Sequence, residues 1–185
     1  MKFTEGKLEH SFIELLEQEG YKHSIGVSLS RKAMDEVLLE DDLFRFLLSR
    51  YGADGLTENE VRTIILQLKS LPSSDLYESN KRFMQMLSDG FILKREDRSQ
   101  KDIYIQLIDY TGLEKQMQPK EEHVLSVVAD KDEAYPSDKN IYRFVNQLEI
   151  MGSEKRIPDG IIYVNGLPLV VFEFKTAIDE NTTIF

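Results

Sequence analysis

Three residues near the end of the chain have the types and the spacing needed for metal-dependent hydrolysis. Asp159 opens one short β-rich run, Glu173 closes the next, and Lys175 follows Glu173 by two positions. Glu173 and Lys175 therefore point to the same face of a strand, because side chains alternate with a period of two. Mg²⁺ prefers a few carboxylate oxygens and keeps several waters. Two carboxylates, a divalent metal and a lysine beside the attacking water are the parts needed to hydrolyse a phosphodiester.

The dipeptide Asn165-Gly166 joins the two runs and is a strong signal for a β-hairpin. A strict two-residue turn would place Asp159 opposite Phe172, one position short of Glu173. The two carboxylates would then lie on opposite faces of the sheet. A regular two-residue hairpin is therefore incompatible with a shared metal.

One extra residue in the hairpin would bring both carboxylates to the same face, through a three-residue loop or a single bulge. Gly160 is well suited to a bulge, and Pro168 is unsuited to donate a hydrogen bond within a regular ladder. We therefore predict an irregularity between Asp159 and Glu173.

The elements that must position these residues begin with a helix. Thr4 can cap a helix that runs to about Glu19, and Gly20 stops it. Its predicted apolar stripe is Leu8, Phe12, Leu15 and Leu16. Glu9 lies at the flank of this stripe, on the side of Leu16, so that it need not point to bulk solvent.

Three further helices are predicted, over 32–50, 57–70 and 75–89. The second opens with the sequence Thr57-Glu-Asn-Glu60, which is a capping box. A helix-rich first half is therefore expected.

Strands are predicted over 91–94 and 102–109. The charged segment Lys94–Lys101 between them is expected to be a solvated hairpin tip or, alternatively, to contact a phosphate. The apolar run Val124–Ala129 is a strand or a helix segment, and Ile141–Ile150 is a strand that leads into the hairpin. Helices followed by a sheet favour the α/β class.

Composition limits the class of protein. At 185 residues the chain is long enough for one domain with a proper core, and with no cysteine it has no disulfide, thiolate metal site or cysteine nucleophile. No apolar run approaches the roughly 20 residues that span a bilayer, and no signal peptide opens the chain, so a cytoplasmic protein without membrane contact is expected. A net charge of −10 argues against DNA binding by this chain unaided, since lysine and arginine make phosphate contacts.

The residues around Asp159 and Glu173 resemble a known family. The D…ExK pattern is that of the PD-(D/E)xK nucleases. The segments that carry a narrower resemblance are Glu9–Tyr21, Val145–Ile150, Arg156-Ile-Pro-Asp159 and Val164–Lys175. Together they resemble the N-terminal nuclease domain of the R (restriction) subunit of type I restriction enzymes, and the block Asn-Gly-Leu-Pro-Leu before ExK is the most specific part.

The resemblance implies a restriction-endonuclease-like α/β core, a mixed sheet flanked by helices, with a helical insertion after the first helix. Residues 1–185 would form a single nuclease-like domain. Its parts would be the first core helix and following segment (1–31), a mostly helical insertion (32–100) and the sheet with the D…ExK motif (101–185). The family's Gln-x-x-x-Tyr helix and ATP-dependent motor are expected beyond Phe185, since the chain ends before the former could follow Lys175 and contains no Gly-x-x-x-x-Gly-Lys-Ser/Thr loop.

The resemblance also implies roles for individual residues. Asp159 and Glu173, with the backbone carbonyl of Phe174, would hold Mg²⁺, for which Mn²⁺ can substitute. Lys175 would orient the attacking water, and Glu9 would accept a hydrogen bond from a water on the metal.

The implied activity is Mg-dependent hydrolysis of DNA phosphodiester bonds by the endonuclease domain of a type I restriction-modification R subunit. The implied partners are double-stranded DNA and the methylation and specificity subunits of the complex. ATP would serve only the motor.

Simpler interpretations exist for the same residues. Glu173 and Lys175 can be a surface ion pair, Asp159 a turn cap, and Glu9 a solvated helix glutamate. For the whole chain, the alternatives are a non-catalytic DNA- or protein-interaction module with a nuclease fold, or a stand-alone repair nuclease of the same superfamily. The three histidines have no partner at metal-ligand spacing, and no role is predicted for them.

Overall fold

The computed structural model describes residues 5–111 and 140–175 and divides the chain into two compact units. The first, here called the sheet unit, joins the chain up to Asp42 with the chain from Ile141 onward. The second, here called the helical unit, is Leu43–Asn140. The predicted insertion 32–100 covers only part of the helical unit.

In chain order the described helices are α1 (Glu5–Gln18), α2 (Glu40–Tyr51), α3 (Glu58–Lys69) and α4 (Leu76–Ser88). The strands are β1 (Lys22–Ile25), β2 (Phe91–Leu93), β3 (Ile103–Ile105), β4 (Tyr142–Asn146), β5 (Ile150–Met151), β6 (Lys155–Arg156), β7 (Gly160–Val164) and β8 (Leu167–Phe172). The chain is thus of the mixed α/β class that was predicted. No helix within residues 5–111 and 140–175 is both long enough and apolar enough to cross a bilayer.

The sheet unit contains a four-stranded mixed sheet in the order β1-β4-β7-β8. β1 runs parallel to β4, and the other neighbours are antiparallel. One face carries a buried cluster of Leu39, Val145, Leu148, Ile161 and Tyr163. β1 was missed from the sequence because its four residues, Lys22–Ile25, form a strand only by pairing with a segment more than a hundred positions away.

α1 ends as its sequence predicts. Gly20 has a φ of +88°, its N–H donates to the carbonyl of Glu17, and the Tyr21 N–H donates to the carbonyl of Leu16. These bonds satisfy the last carbonyls of the helix. Thr4, the predicted cap, lies outside the described residues.

The predicted apolar stripe of α1 is only partly correct. Leu16 is buried, but Leu15 is 52% exposed and Leu8 is 36% exposed. Phe12 contacts the sheet, with its ring centroid 5.6 Å from that of Phe144. The helix therefore packs along a narrower line than its sequence indicates.

The β7–β8 hairpin turns at Asn165-Gly166, as predicted, and its loop has two residues. Asn165 and Gly166 have φ values of +52° and +78°, the combination of a type I′ turn. Asn165 is fully buried, and its side-chain oxygen accepts the N–H of Ile141 at 2.7 Å. The turn is therefore anchored to the strand beside it.

The irregularity predicted in the hairpin is also present. The register shifts between Ile162 and Tyr163 of β7 and leaves Leu169 of β8 as the extra residue. Leu169 directly follows Pro168, whose nitrogen cannot donate to the ladder. The shift lies there rather than at Gly160.

Two predicted elements, the helix over 32–50 and the strand over 141–150, are shorter than expected. The helix predicted over 32–50 begins only at Glu40, because Leu39 packs in the core and its N–H donates to the carbonyl of Gly166 at 2.9 Å. The strand predicted over 141–150 stops at Asn146, since Gln147 has a φ of +51°. Tertiary contacts override the local propensity in both places.

The helical unit contains the predicted capping box of α3. The Thr57 hydroxyl accepts the Glu60 N–H, and the Glu60 carboxylate accepts the Thr57 N–H. Among the strands that the structure describes, β2 and β3 pair only with each other, so β3 does not join the four-stranded sheet. The run Val124–Ala129 lies outside the described residues.

The charged segment Lys94–Lys101 is not wholly solvated, and the prediction is wrong at Arg95. That side chain is 7% exposed. Its Nε donates to Glu60 at 2.8 Å, and its Nη2 donates to the carbonyl of Gly55 at 2.6 Å. The arginine was misread because nothing local to it shows the buried carboxylate that it meets.

Candidate active site at the end of the sheet

Asp159 lies immediately before β7, at the end of the hairpin far from its turn. Its Oδ2 accepts the N–H of Phe174 at 2.6 Å. Gly160 pairs with Phe172 in the shifted register, so continuing that register places Asp159 opposite Glu173. The extra residue Leu169 therefore produces the juxtaposition that two carboxylates need to share a ligand.

Glu173 and Lys175 are both exposed and follow the end of β8. Phe172 and Phe174 contact the Phe12 ring of α1, with centroids 4.7 and 5.5 Å apart. Side chains alternate along a strand, so Glu173 and Lys175 point away from α1. Lys175 makes no ion pair with any carboxylate among the described residues, which argues against the simple surface ion pair.

Glu9 approaches the same end of the sheet from the α1 face. Its Oε1 accepts a hydrogen bond from Asn146 Nδ2 at 2.9 Å. Asn146 pairs in register with Gly160, the residue next to Asp159. Glu9 is thus linked through Asn146 to the strand position next to Asp159, on the α1 face of the sheet, and no hydrogen bond among the described residues joins it to Asp159 or Glu173.

Two neighbours of Glu9 were missed by sequence reasoning. Asn146 is 7% exposed on a central strand, and its Oδ1 lies 2.9 Å from His23 Nε2. A polar residue at the end of the apolar run Phe144-Val145 was the available signal for Asn146. His23 lies on β1, and no local pattern in the sequence connects it to β4.

A close approach at Gly160 fixes the strand that follows Asp159. A Cβ at Gly160 would collide with the Phe144 ring, which is fully buried. The same ring contacts Phe12 and Phe172. Aromatic packing and a glycine therefore set the position of the start of β7.

The donors at this end of the sheet suit a hard cation. Asp159 and Glu173 offer carboxylate oxygens, and only Oδ2 of Asp159 is engaged by a described group, the Phe174 N–H. Mg²⁺ is commonly held by one or two carboxylates and retains its other ligands as water. No group of three or more Asp, Glu, His or Cys side chains is close enough for a metal within residues 5–111 and 140–175, so Glu9 is not a third ligand in this arrangement.

Comparisons with known proteins agree with one another. The sequence model of the family described as "Type I restriction enzyme R protein N terminus" matches residues 2–183. The type I restriction enzyme HindI endonuclease subunit of Haemophilus influenzae is 31% identical over 132 residues, which cover 70% of this chain and 10% of that protein. A protein of Methanocaldococcus jannaschii, provisionally named type I restriction enzyme MjaIXP endonuclease subunit, is 22% identical over 183 residues, or 95% of this chain and 15% of that protein. The chain thus spans 10–15% of the length of these relatives.

Proposed function

Because the chain belongs to the family of type I restriction enzyme R protein N-termini, we propose that it is the nuclease part of a restriction-modification R subunit. Its reaction would be Mg-dependent hydrolysis of phosphodiester bonds in double-stranded DNA. The observation that carries this proposal is the extra residue at Leu169, which places Asp159 opposite Glu173.

The proposed fold is a restriction-endonuclease-like core. The mixed sheet β1-β4-β7-β8, with α1 on one face and the D…ExK residues at its end, supports it. In that core, the helical unit would be the insertion after the first helix and first strand.

Asp159, Glu173 and the carbonyl of Phe174 would hold Mg²⁺, and Mn²⁺ would substitute for it. When bound, a divalent ion polarises the phosphate and makes water a better nucleophile. Lys175, exposed beside Glu173, would orient the attacking water and stabilise charge on the phosphate. Glu9 would accept a hydrogen bond from water at the same end of the sheet.

The proposed site would supply the groups for hydrolysis, but this chain has little positive charge with which to bind DNA. The net charge of −10 opposes binding to a polyanion. We propose that other parts of a cytoplasmic complex hold the DNA, including its methylation and specificity subunits and an ATP-dependent motor.

The test is nicking of plasmid DNA by this chain with Mg²⁺ or Mn²⁺, beside calorimetric titration of the metal. Lys175→Ala should abolish nicking and leave metal binding intact. Lys155→Ala is the matched control, because Lys155 is an exposed lysine of the same unit that pairs with Glu149 at 2.7 Å. Equal nicking by wild type and Lys175→Ala would overturn the assignment.

A non-catalytic interaction module is the second candidate. The observation that favours it is the Asp159–Phe174 hydrogen bond, since a capping aspartate needs no metal. Wild-type protein that neither binds the metal nor nicks DNA would support this candidate. Metal binding that Asp159→Asn removes would exclude it.

A further inference from the structure

Three side chains from three separate elements form a half-buried hydrogen-bonded chain in the sheet unit. Glu9 of α1, Asn146 of β4 and His23 of β1 are joined by two contacts of 2.9 Å, one on each side of the Asn146 amide. Each link spans more than a hundred positions in sequence. Asn146, at the centre of these hydrogen bonds, pairs in register with Gly160, the residue after Asp159.

The Glu9 carboxylate determines which groups donate and which accept in these two hydrogen bonds. A carboxylate only accepts hydrogen bonds, so the end of the Asn146 amide that faces Glu9 must be the NH₂ group. The Asn146 oxygen then faces His23, whose Nε2 must carry a proton to donate to it. Glu9 thereby determines the amide orientation of Asn146 and the state of the His23 Nε2.

Asn146 is held in one place by its surroundings. It is 7% exposed, pairs with Gly160 on one side and with Ile25 on the other, and is followed by Gln147 in the left-handed conformation. A buried amide on a central strand has little rotational freedom, so the Glu9 carboxylate bound to it is held in place as well.

Packing alone does not require this polar chain. Phe12 already fixes α1 to the sheet through the rings of Phe144, Phe172 and Phe174. An aliphatic residue at position 146 would avoid the cost of burying an amide. The polar groups therefore do something that packing of the helix does not.

We propose that Asn146 is a positioning residue that holds the Glu9 carboxylate on the α1 face, at the end of the sheet where Asp159 lies, and that His23 fixes the Asn146 amide. This inference rests on the proposed nuclease function and extends it to residues that do not touch the substrate. Loss of a group that supports a metal site typically lowers metal affinity or activity roughly 10–100-fold. We expect a fall of that size in the nicking rate of Asn146→Asp, with little change in the DNA concentration at half-maximal rate.

Asn146→Asp keeps the acceptor for His23 and places a carboxylate against Glu9. The double variant Glu9→Gln/Asn146→Asp reverses donor and acceptor and so restores the hydrogen bond without a carboxylate at position 9. Thermal stability should fall in Asn146→Asp and recover in the double variant, while nicking should stay as low as in Glu9→Gln alone. Recovery of nicking together with stability would show that Asn146 is only structural.

An independent readout is the side-chain amide signal of Asn146 in ¹H–¹⁵N spectra, assigned from its loss in Asn146→Asp. It should be shielded from solvent exchange, shift in Glu9→Gln, and shift again when Mg²⁺ is added to wild type. Glu14→Gln is the matched control, because Glu14 is an exposed carboxylate of the same helix that pairs with His10. An amide signal that is insensitive to Glu9→Gln would overturn the inference.

The two proposals fail in different ways. Wild-type protein without nicking or metal binding, but with the Glu9-dependent amide signal, marks failure of the nuclease function and with it of the positioning role. Wild-type nicking that Asn146→Asp leaves unchanged marks failure of the positioning role alone.

Discussion

The helical unit and the sheet unit use carboxylates in opposite ways. Glu60 in the helical unit is 2% exposed, and its carboxylate accepts hydrogen bonds from Arg95, from the Glu96 N–H and from both the N–H and hydroxyl of Thr57. Asp159 in the sheet unit is half-buried and accepts one hydrogen bond from the described residues, the Phe174 N–H. Glu60 is saturated, whereas Asp159 keeps acceptor capacity for a ligand.

The comparison shows that burial and charge do not by themselves identify a functional carboxylate. Burial alone would raise the pKa of Glu60, but the Arg95 guanidinium and the hydrogen bonds from Thr57 and Glu96 lower that pKa to about 2. Such a group is strongly perturbed and has a structural role. Unused acceptors at the end of a strand pair are instead what marks the candidate site.

The largest expected change in the free energy of unfolding comes from removing the arginine that pairs with Glu60. Arg95→Leu would leave Glu60 buried and unpaired and should lower the free energy of unfolding by about 3–5 kcal/mol. Lys175→Leu, which removes an exposed cation, should change it by no more than about 0.5 kcal/mol. Urea unfolding followed by circular dichroism measures both, and similar values for the two would contradict the distinction.

Acid should remove the stability that the Glu60 carboxylate contributes to the helical unit. The folded-state pKa of Glu60 is about 2 and its ordinary value is 4.5, so its stabilisation is present above pH 4.5 and is lost as the pH falls toward 2. The loss should amount to about 3 kcal/mol. Unfolding measured at pH 6, 4 and 2.5 should show wild type converging on Glu60→Gln, and parallel curves would contradict the prediction.

Asp159→Asn should separate ligand binding from folding. The asparagine oxygen can still accept the Phe174 N–H, so the thermal midpoint should stay close to that of wild type. Metal affinity should fall by at least about 100-fold, since loss of even a supporting group costs up to that much. Calorimetry beside thermal unfolding checks both, and a large drop in stability would mean that Asp159 acts as a cap.

Gly160→Ala tests how firmly the sheet unit is packed beside its candidate site. The new methyl group would collide with the Phe144 ring, which is enclosed by other aromatic rings. Overpacking of this kind should cost about 1–3 kcal/mol. Gly152→Ala is the control, because a Cβ there meets nothing closer than 3.9 Å.

The smallest expected changes in the free energy of unfolding are those of two buried tyrosines. In the helical unit, the Tyr51 hydroxyl accepts the Gln106 N–H at 2.7 Å and lies 3.3 Å from the Gln106 carbonyl. In the sheet unit, the Tyr163 hydroxyl is buried without a hydrogen-bond partner among the described residues. Tyr51→Phe should cost about 1 kcal/mol and Tyr163→Phe close to zero, as urea unfolding would show.

Much of the local structure was predictable. The end of α1 at Gly20, the capping box at Thr57 and the Asn165-Gly166 turn were all expected, and all three are confirmed. Each depends on hydrogen bonds or backbone angles within a few residues, which the sequence displays directly. The irregularity in the hairpin was predicted because a regular hairpin would place Asp159 and Glu173 on opposite faces of the sheet. Its position at Leu169 was not predicted.

The sequence by itself determined the family, the residues proposed to bind a metal and the extra residue that a shared site between them would require. Only the tertiary structure decided that Arg95 is buried against Glu60, that β1 pairs with β4, and that Glu9 meets Asn146. The physical reason is distance along the chain. Contacts between residues tens to more than a hundred positions apart leave no periodic or turn signal. The contact of Arg95 with Glu60 forms only when the helical unit folds, and those of the sheet unit form only when the sheet joins the early and late parts of the chain.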